Sequence, residues 1–155
     1  MSIETAVFRS VMGRFATGVT VVTSMLDEAP IAMTANAVAS LSLSPPLVLV
    51  CADRASLTLR GVRQNRCFSV HVLQAGQQDL AQRFAVTGPK SFDGVPYWPG
   101  RSGSPILEDC LAWLDCVLET IHDGGDHEIL IGRVEEAEAA DGAPLLFYRG
   151  AYTSL

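Results

Sequence analysis

Ala32-Met33-Thr34-Ala35-Asn36-Ala37-Val38-Ala39-Ser40-Leu41-Ser42-Leu43-Ser44-Pro45-Pro46-Leu47-Val48-Leu49-Val50 is the stretch that decides how the chain is read. Five small polar side chains, Thr34, Asn36, Ser40, Ser42 and Ser44, are interleaved there with Ala, Val and Leu. Two prolines then separate them from an unbroken apolar run. The segment is too polar for plain core, because buried hydroxyls and amides need partners. It is too apolar for a plain surface loop. It reads as a strand and turn lining a ligand pocket, with backbone and hydroxyl groups directed at a flat, polar molecule.

Outward from that stretch, residues 47–52 are a continuous apolar strand, expected to be buried on both faces. On the other side, Val19-Thr20-Val21-Val22-Thr23-Ser24 is β-branched and short, and Asp27-Glu28-Ala29-Pro30 turns it back as a hairpin. Residues 3–15 form an amphipathic helix, with Ile3, Val7, Phe8, Val11, Met12 and Phe15 on one side and Glu4, Arg9 and Arg14 elsewhere. Gly13 and Gly18 bracket its end. Asp53-Arg54-Ala55-Ser56 is a loop, and two readings of Ser56 stand together. It caps a helix over residues 57–65, or with Thr58 it opens a helix whose free N–H groups take a phosphate. Residues 67–73 alternate as a strand, and residues 77–84 make a short helix. Residues 87–103 are a long connection rich in glycine and proline that carries Phe92, Tyr97 and Trp98, the composition of a pocket lid. Residues 111–121 are a long strand, 122–127 break it, and 128–136 return as its partner. Residues 145–148 are the last strand, and 149–155 a short tail. Six or seven strands and two or three helices that do not alternate regularly exclude a doubly wound parallel sheet. The fold class is mainly β with flanking helices, an antiparallel barrel with the helices packed outside.

The 155 residues suit a single domain, 1–155. At 48% hydrophobic and 18% charged the chain has enough apolar surface for a buried sheet and an oligomer interface. A net charge of −6 argues against nucleic acid, which needs clustered Lys and Arg. No apolar run is long enough to span a membrane, and Met1-Ser2-Ile3-Glu4-Thr5 does not open a secretory leader. Cys51, Cys67, Cys110 and Cys116 form no C-x-x-C pair and read as free thiols, so the expected location is the reducing cytoplasm. His71, His122 and His127 are not at metal-ligand spacing, and no metal is expected. Neither G-x-G-x-x-G nor a P-loop occurs. Gly100-Arg101-Ser102-Gly103-Ser104 misses the G-x-S-x-G elbow by one position, and nothing brings Ser102 to His127 and Asp126 as a hydrolytic triad. Gly124-Gly125-Asp126-His127 is either a hairpin with polar tips or, if it faces the opening stretch, a ligand-contacting turn.

From Met12-Gly13-Arg14-Phe15-Ala16-Thr17-Gly18-Val19-Thr20-Val21-Val22-Thr23 onward the chain resembles the short-chain flavin reductases, which supply reduced flavin to two-component monooxygenases. Four further blocks agree in order: Met33-Thr34-Ala35-Asn36 with residues 40–51, then residues 77–84, then Gly125-Asp126-His127, then residues 144–152. The likeness runs from about Phe8 to Tyr152. It implies an FMN-binding split β-barrel, homodimeric, with FMN or FAD at the subunit interface. The flavin contacts it implies are Thr34, Ala35, Asn36, Ala37, Ser40 and Leu41, with Ser42 among the hydroxyls near the ring. Arg54, Ala55, Ser56 and Thr58 would hold the phosphate and ribityl end, and Phe84 and Lys90 would lie by the phosphate or adenylate. Gly125, Asp126, His127 and Tyr152 would lie near the nicotinamide, with His127 as the catalytic group. Ala32 and Ala37 depart from the family, which often has Gly before the Met and Ser after the Asn. A lost hydroxyl is worth about 0.5–1.5 kcal/mol of flavin binding.

The implied reaction is hydride transfer from NADH or NADPH to flavin, with the released product passing to a separate flavin-dependent monooxygenase. The cofactors carry that chemistry and the protein aligns them, so no protein nucleophile or metal is called for. Two other readings share the barrel: a non-catalytic flavin-binding sensor, and a reductase that keeps its flavin and reduces another acceptor.

Overall fold

The computed structural model describes residues 2–155; Met1, the first residue of the stretch read for a leader, lies outside them. A helix α1 (Thr5–Met12) leads through β1 (Thr17–Gly18) to a hairpin of β2 (Thr20–Leu26) and β3 (Ala29–Ala35). Asp27 and Glu28 alone make the turn, with φ of 50° and 66°, and Ala29 and Pro30 already belong to β3. Two successive residues at positive φ match the right-handed strand twist. A second hairpin, β4 (Val38–Leu43) with β5 (Pro46–Asp53), precedes α2 (Leu57–Asn65). Next come β6 (Cys67–Val72), a 3-10 turn (Ala75–Gln77) running into α3 (Gln78–Ala85), and a small hairpin of β7 (Tyr97–Pro99) and β8 (Pro105–Leu107). The long hairpin of β9 (Ala112–Gly124) and β10 (His127–Ala139) is followed by β11 (Leu145–Tyr148) and β12 (Ala151–Ser154).

Seven strands form one antiparallel sheet in the order β3-β2-β6-β9-β10-β5-β4. Its two edge strands are consecutive in the chain, joined only by Asn36 and Ala37. In a flat sheet those edges would stand about 29 Å apart, six spacings of about 4.8 Å. The step from Ala35 to Val38 reaches about 10 Å at full extension. The sheet must therefore roll into a barrel whose edges meet at the link, where the Cys51 N–H donates to the Ala37 carbonyl at 2.9 Å. The mainly β class with flanking helices and the split barrel are as expected.

Inside the barrel lie Val22, Met33, Val48, Val50, Phe68, Val70, Leu118 and Leu130, with Leu59 and Val62 of α2 packed against them. A second cluster, Val19, Val21, Ala32, Leu73, Ala81, Phe84, Leu107 and Leu145, seals the outer face of β2 and β3 beneath α3. Gly132 is where the wall is thinnest: a Cβ there would stand 2.5 Å from the Phe68 ring.

Several expectations need correction. The polar part of the opening stretch, residues 32–44, is two strands on opposite edges, not one strand and a turn; its even alternation hides the crossing at Asn36-Ala37. The strand read as buried on both faces buries only Val48, Val50 and Ala52, while Leu47, Leu49 and Cys51 stay half-buried. Conversely β6, read as alternating, is buried on both faces, because the β7–β8 hairpin covers its polar side. The break at 122–127 shrinks to a two-residue turn, since the ladder runs on to Gly124 and His127. The tail holds a further strand, β12, paired with β11. The first helix is shorter than its 3–15 periodicity, and none of its residues is buried.

The covered side of β6 is a polar layer. Ser69 Oγ and the Ser102 hydroxyl both donate to Asp115 Oδ1, and the Ser102 N–H donates to Oδ2 at 2.8 Å. Thr23 Oγ1 donates to the Pro105 carbonyl at 2.6 Å. His71 Nε2 accepts from the Leu107 N–H at 3.0 Å, so its Nδ1 carries the proton and donates to the Val21 carbonyl at 2.9 Å. The ring is neutral, and burial pushes its pKa down from 6.5 to about 4.

Between those values an unfolded chain takes up a proton that the folded chain refuses. His71 therefore contributes stability above about pH 6.5 that is lost as the pH falls toward 4, on the order of 3 kcal/mol in all. Urea unfolding followed by tryptophan fluorescence, which reports the Trp98–Trp113 contact of the covering hairpin, should show the midpoint falling through that window. His71→Gln should fall less steeply over the same window; an identical pH dependence would rule out His71 as the cause.

Candidate active site

A cavity of about 350 Å³ opens at the seam where the chain crosses from β3 to β4. Five segments wall it. Met33, Thr34, Ala35, Asn36 and Ala37 come from β3 and the link, and Cys51 and Asp53 from β5. Ala55, Ser56 and Leu57 come from the loop into α2, and His127 from the β9–β10 turn. Phe84, Ala85, Val86, Thr87, Gly88 and Lys90 come from the end of α3 and beyond.

Local chemistry explains each placement. Thr34 Oγ1 donates to the Ala81 carbonyl at 2.6 Å, which ties α3 to β3 and brings Phe84 to the cavity. That use of the hydroxyl proton leaves main-chain groups around Asn36 and Ala37 as the polar edge of the wall. Asp53 Oδ1 accepts from the Ala55 N–H at 2.8 Å, a tight turn that sets Ser56 at the start of α2. Ser56 Oγ accepts from the Leu59 N–H at 3.3 Å. Ser56 is the helix cap of the first reading, and it also lines the cavity. Lys90 Nζ donates to the Ala32 carbonyl at 3.2 Å, and burial holds its pKa below the usual lysine range.

The turn at Gly125-Asp126 has φ of +72° at its first central residue, where glycine is favoured. It places His127 among the cavity walls with residues 33–37 of the opening stretch, so of the Gly-Asp-His motif it is the histidine that faces that stretch. Asp126 Oδ1 and His127 Nδ1 are 2.7 Å apart, and that hydrogen bond and charge hold the Asp126 carboxyl below its ordinary pKa. An ionised carboxylate only accepts, so Nδ1 donates and Nε2 is the imidazole's remaining polar atom.

Nine expected site residues are thus together: Thr34, Ala35, Asn36, Ala37, Ala55, Ser56, Phe84, Lys90 and His127. The others lie elsewhere within this chain. Ser40, Leu41 and Ser42 belong to the edge strand β4, beyond the link. Thr58 lies on the buried face of α2, and its Oγ1 has no hydrogen-bond partner. Gly125 and Asp126 stand behind His127 at the exposed tip. Tyr152 lies on β12 with its ring against Phe147, centroids 5.3 Å apart. Arg54 turns its guanidinium to the β9–β10 hairpin. Ser102 is held by Asp115 in the polar layer, not by His127. Sequence reading missed Met33, Cys51, Asp53, Leu57, Ala85 and Val86, whereas Thr87 and Gly88 begin the connection read as a pocket lid. For Cys51 and Asp53 the signal was present: Val48, Val50 and Ala52 take the barrel side, so the odd-numbered residues face out.

The walls suit a flat, phosphorylated heteroaromatic ligand. The volume lies in the range of small-molecule sites, the side chains are mostly small or apolar, and a half-buried cation and a helix N-terminus are among the walls. Among the described residues, no group of three or more His, Cys, Asp and Glu is placed to hold a metal ion. None of their helices is long and apolar enough to cross a membrane.

Known proteins share this arrangement. The reductase subunit HsaB of a flavin-dependent monooxygenase from Mycobacterium tuberculosis is 42% identical over 156 aligned residues, 99% of this chain and 83% of that protein. The crystal structure of nitrilotriacetate monooxygenase component B from Mycobacterium thermoresistibile superimposes with a TM-score of 0.92 at 38% identity, over 97% of this chain and 86% of that one. The NADH:FAD oxidoreductase SgcE6 of Streptomyces globisporus C-1027, in complex with NAD and FAD fragments, does so with a TM-score of 0.90 at 37% identity, over 99% and 95%. Residues 12–155, which hold the rolled sheet and every wall of the seam cavity, match the flavin reductase like domain, and the chain belongs to that family.

Proposed function

We propose that the chain is an NAD(P)H:flavin oxidoreductase that reduces FMN or FAD and supplies the reduced flavin to a separate flavin-dependent monooxygenase. The observation that carries this reading is the meeting, in one seam cavity, of the 34–37 main chain, Ser56 at the start of α2, Lys90 and His127. It is supported by HsaB, a reductase subunit of that kind, and by SgcE6, whose structure holds NAD and FAD fragments.

Bound there, a flavin supplies the ring that accepts the hydride and a nicotinamide supplies the hydride. The chain's part is binding and alignment. Main-chain groups of residues 34–37 hold the ring edge, while Met33 and Phe84 keep water from its apolar face. Ser56, the N–H groups opening α2 and Lys90 hold the phosphate. His127 orients the nicotinamide through Nε2, with Asp126 fixing the tautomer. Ala37, where the family often has Ser, leaves the ring edge to main-chain donors.

We assign a homodimer as the working form. Ile3, Val7, Phe8, Val11, Met12 and Phe15 are all at least 49% exposed, an apolar face too continuous for an isolated surface helix. Ser40, Leu41, Ser42 and Tyr152, which do not reach the cavity of their own chain, are the residues a second copy would bring to the ligand. A reducing cytoplasm suits the four free thiols.

Steady-state oxidation of NADH and NADPH against FMN, FAD and riboflavin tests the activity: turnover with at least one pair is expected, and none with any pair would sink the reading. A flavin that stays bound through gel filtration, with slow turnover of free flavin, would mean a retained prosthetic group instead. His127→Ala should lower kcat/KM for the nicotinamide by about tenfold to a hundredfold with the circular dichroism unchanged; an unaltered value would reduce His127 to a turn residue. Sedimentation of Phe8→Asp/Val11→Asp should show monomers where the parent protein shows dimers, and a monomeric parent would remove the dimer.

A further inference from the structure

Arg54 resembles a phosphate ligand by position, next to Ser56 at the mouth of α2, yet its contacts lead elsewhere. Its backbone N–H donates to the Asp126 carbonyl at 3.1 Å, and its Nε–H donates to the Gly125 carbonyl at 2.8 Å. One guanidinium nitrogen donates to Glu128 Oε1 at 2.8 Å, and the other to Asp123 Oδ1 at 3.0 Å. One residue therefore grips positions 123, 125, 126 and 128, bracketing His127 on both sides. The Asp123 contact is at the surface and contributes little. The Glu128 contact differs, because that side chain is only 10% exposed and its second oxygen is paired with Arg63 of α2.

From this geometry we infer that Arg54 is a positioning residue: it clamps the two-residue turn so that the His127 ring is held over the cavity, and it is not an anchor for the ligand's phosphate. The reason lies in the hairpin itself. A two-residue turn at the end of a 13-residue pair of strands is a lever. At its tip, Gly124 and His127 are the last pair of the β9–β10 ladder and His127 also pairs with Asp53 of β5, but Gly125 and Asp126 beyond them have no strand partner. The planar fork of arginine joins the Gly125 carbonyl of the turn to carboxylates on both flanking strands, along directions that lysine cannot reproduce, while the Asp126 carbonyl is held by the Arg54 main chain whatever the side chain. Arg63 continues to neutralise Glu128 when Arg54 is altered, so the barrel is expected to fold without the clamp.

The inference rests on the reductase reading for its kinetic consequence, but not for its structural one. Arg54→Lys keeps the charge and loses the fork; Arg54→Gln loses both. In the ligand-free protein, amide exchange at residues 124–128 should quicken by about tenfold in Arg54→Lys while the strands of the barrel are unaltered. Kinetically, kcat/KM for NADH should fall by about tenfold or more in Arg54→Lys. The fall should be equal with riboflavin, which has no phosphate, and with FMN, and KM for either flavin should stay within about twofold. Glu128→Gln should reproduce part of the effect, and combining it with Arg54→Gln should add less than the sum of the two. Unchanged exchange at 124–128 overturns the clamp. So does a loss confined to FMN, carried by its KM and absent with riboflavin, which would return Arg54 to the phosphate. If the parent protein turns over no flavin, the reductase reading falls while exchange still decides the clamp.

Discussion

The short crossing at Asn36-Ala37 governs everything else in this molecule. It forces the two edges of a seven-stranded sheet together, and a sheet of that width can obey only by rolling. The roll creates an interior for Phe68, Val70 and Leu130 and leaves a seam where the edge strands β3 and β4 are not paired with each other. A seam in a barrel exposes main-chain polar groups at the edge of an apolar wall, the combination a flat heteroaromatic ligand needs. The helices follow from it too. α2 covers one end of the barrel and brings Ser56 to the seam, and α3 is drawn onto β3 by the Thr34–Ala81 hydrogen bond.

A reductase of this kind asks little of its side chains beyond placement, and the site is built accordingly. Four of its polar side chains are already engaged with the protein: Thr34 with Ala81, Ser56 with Leu59, Lys90 with Ala32, and His127 with Asp126. Groups so engaged are fixed before any ligand arrives, which lowers the ordering cost of binding and of aligning two cofactors. The guanidinium of Arg54 and the carboxylate of Glu128 are paired with each other beneath the hairpin, outside the residues that wall the cavity.

What could be read from the sequence was what local chemistry decides. Ser56 capping a helix over residues 57–65, the turn at Asp27-Glu28 and the pairing of the long hairpin all follow from residues a few positions apart. The antiparallel barrel followed from the strand pattern; the resemblance narrowed it to a split barrel and named nine residues that do meet in the cavity. What escaped depended on partners distant in the chain. The contacts of Arg54 with the β9–β10 hairpin left no local mark, because a guanidinium suits phosphate and carboxylate equally and its partners lie 69 to 74 residues away. The crossing inside the opening stretch left no mark because β3 and β4 carry the same alternation. β12 was missed because a short polar strand exists only by virtue of its neighbour β11.

The polar layer on the outer side of β6 has a consequence for how the chain finds this arrangement. Along β6, Phe68 and Val70 face the barrel while Ser69 and His71 face Asp115 and the β7–β8 hairpin. Side chains alternate with a period of two, so a slip of one residue against β9 would push Ser69 and His71 into the apolar interior. It would also set Phe68 and Val70 against a buried carboxylate. Each misplaced polar group would lose its hydrogen bonds at about 1–3 kcal/mol apiece. Mispaired forms of the central strand are thereby penalised on both faces at once, and the layer proofreads the strand alignment on which the geometry of the seam depends.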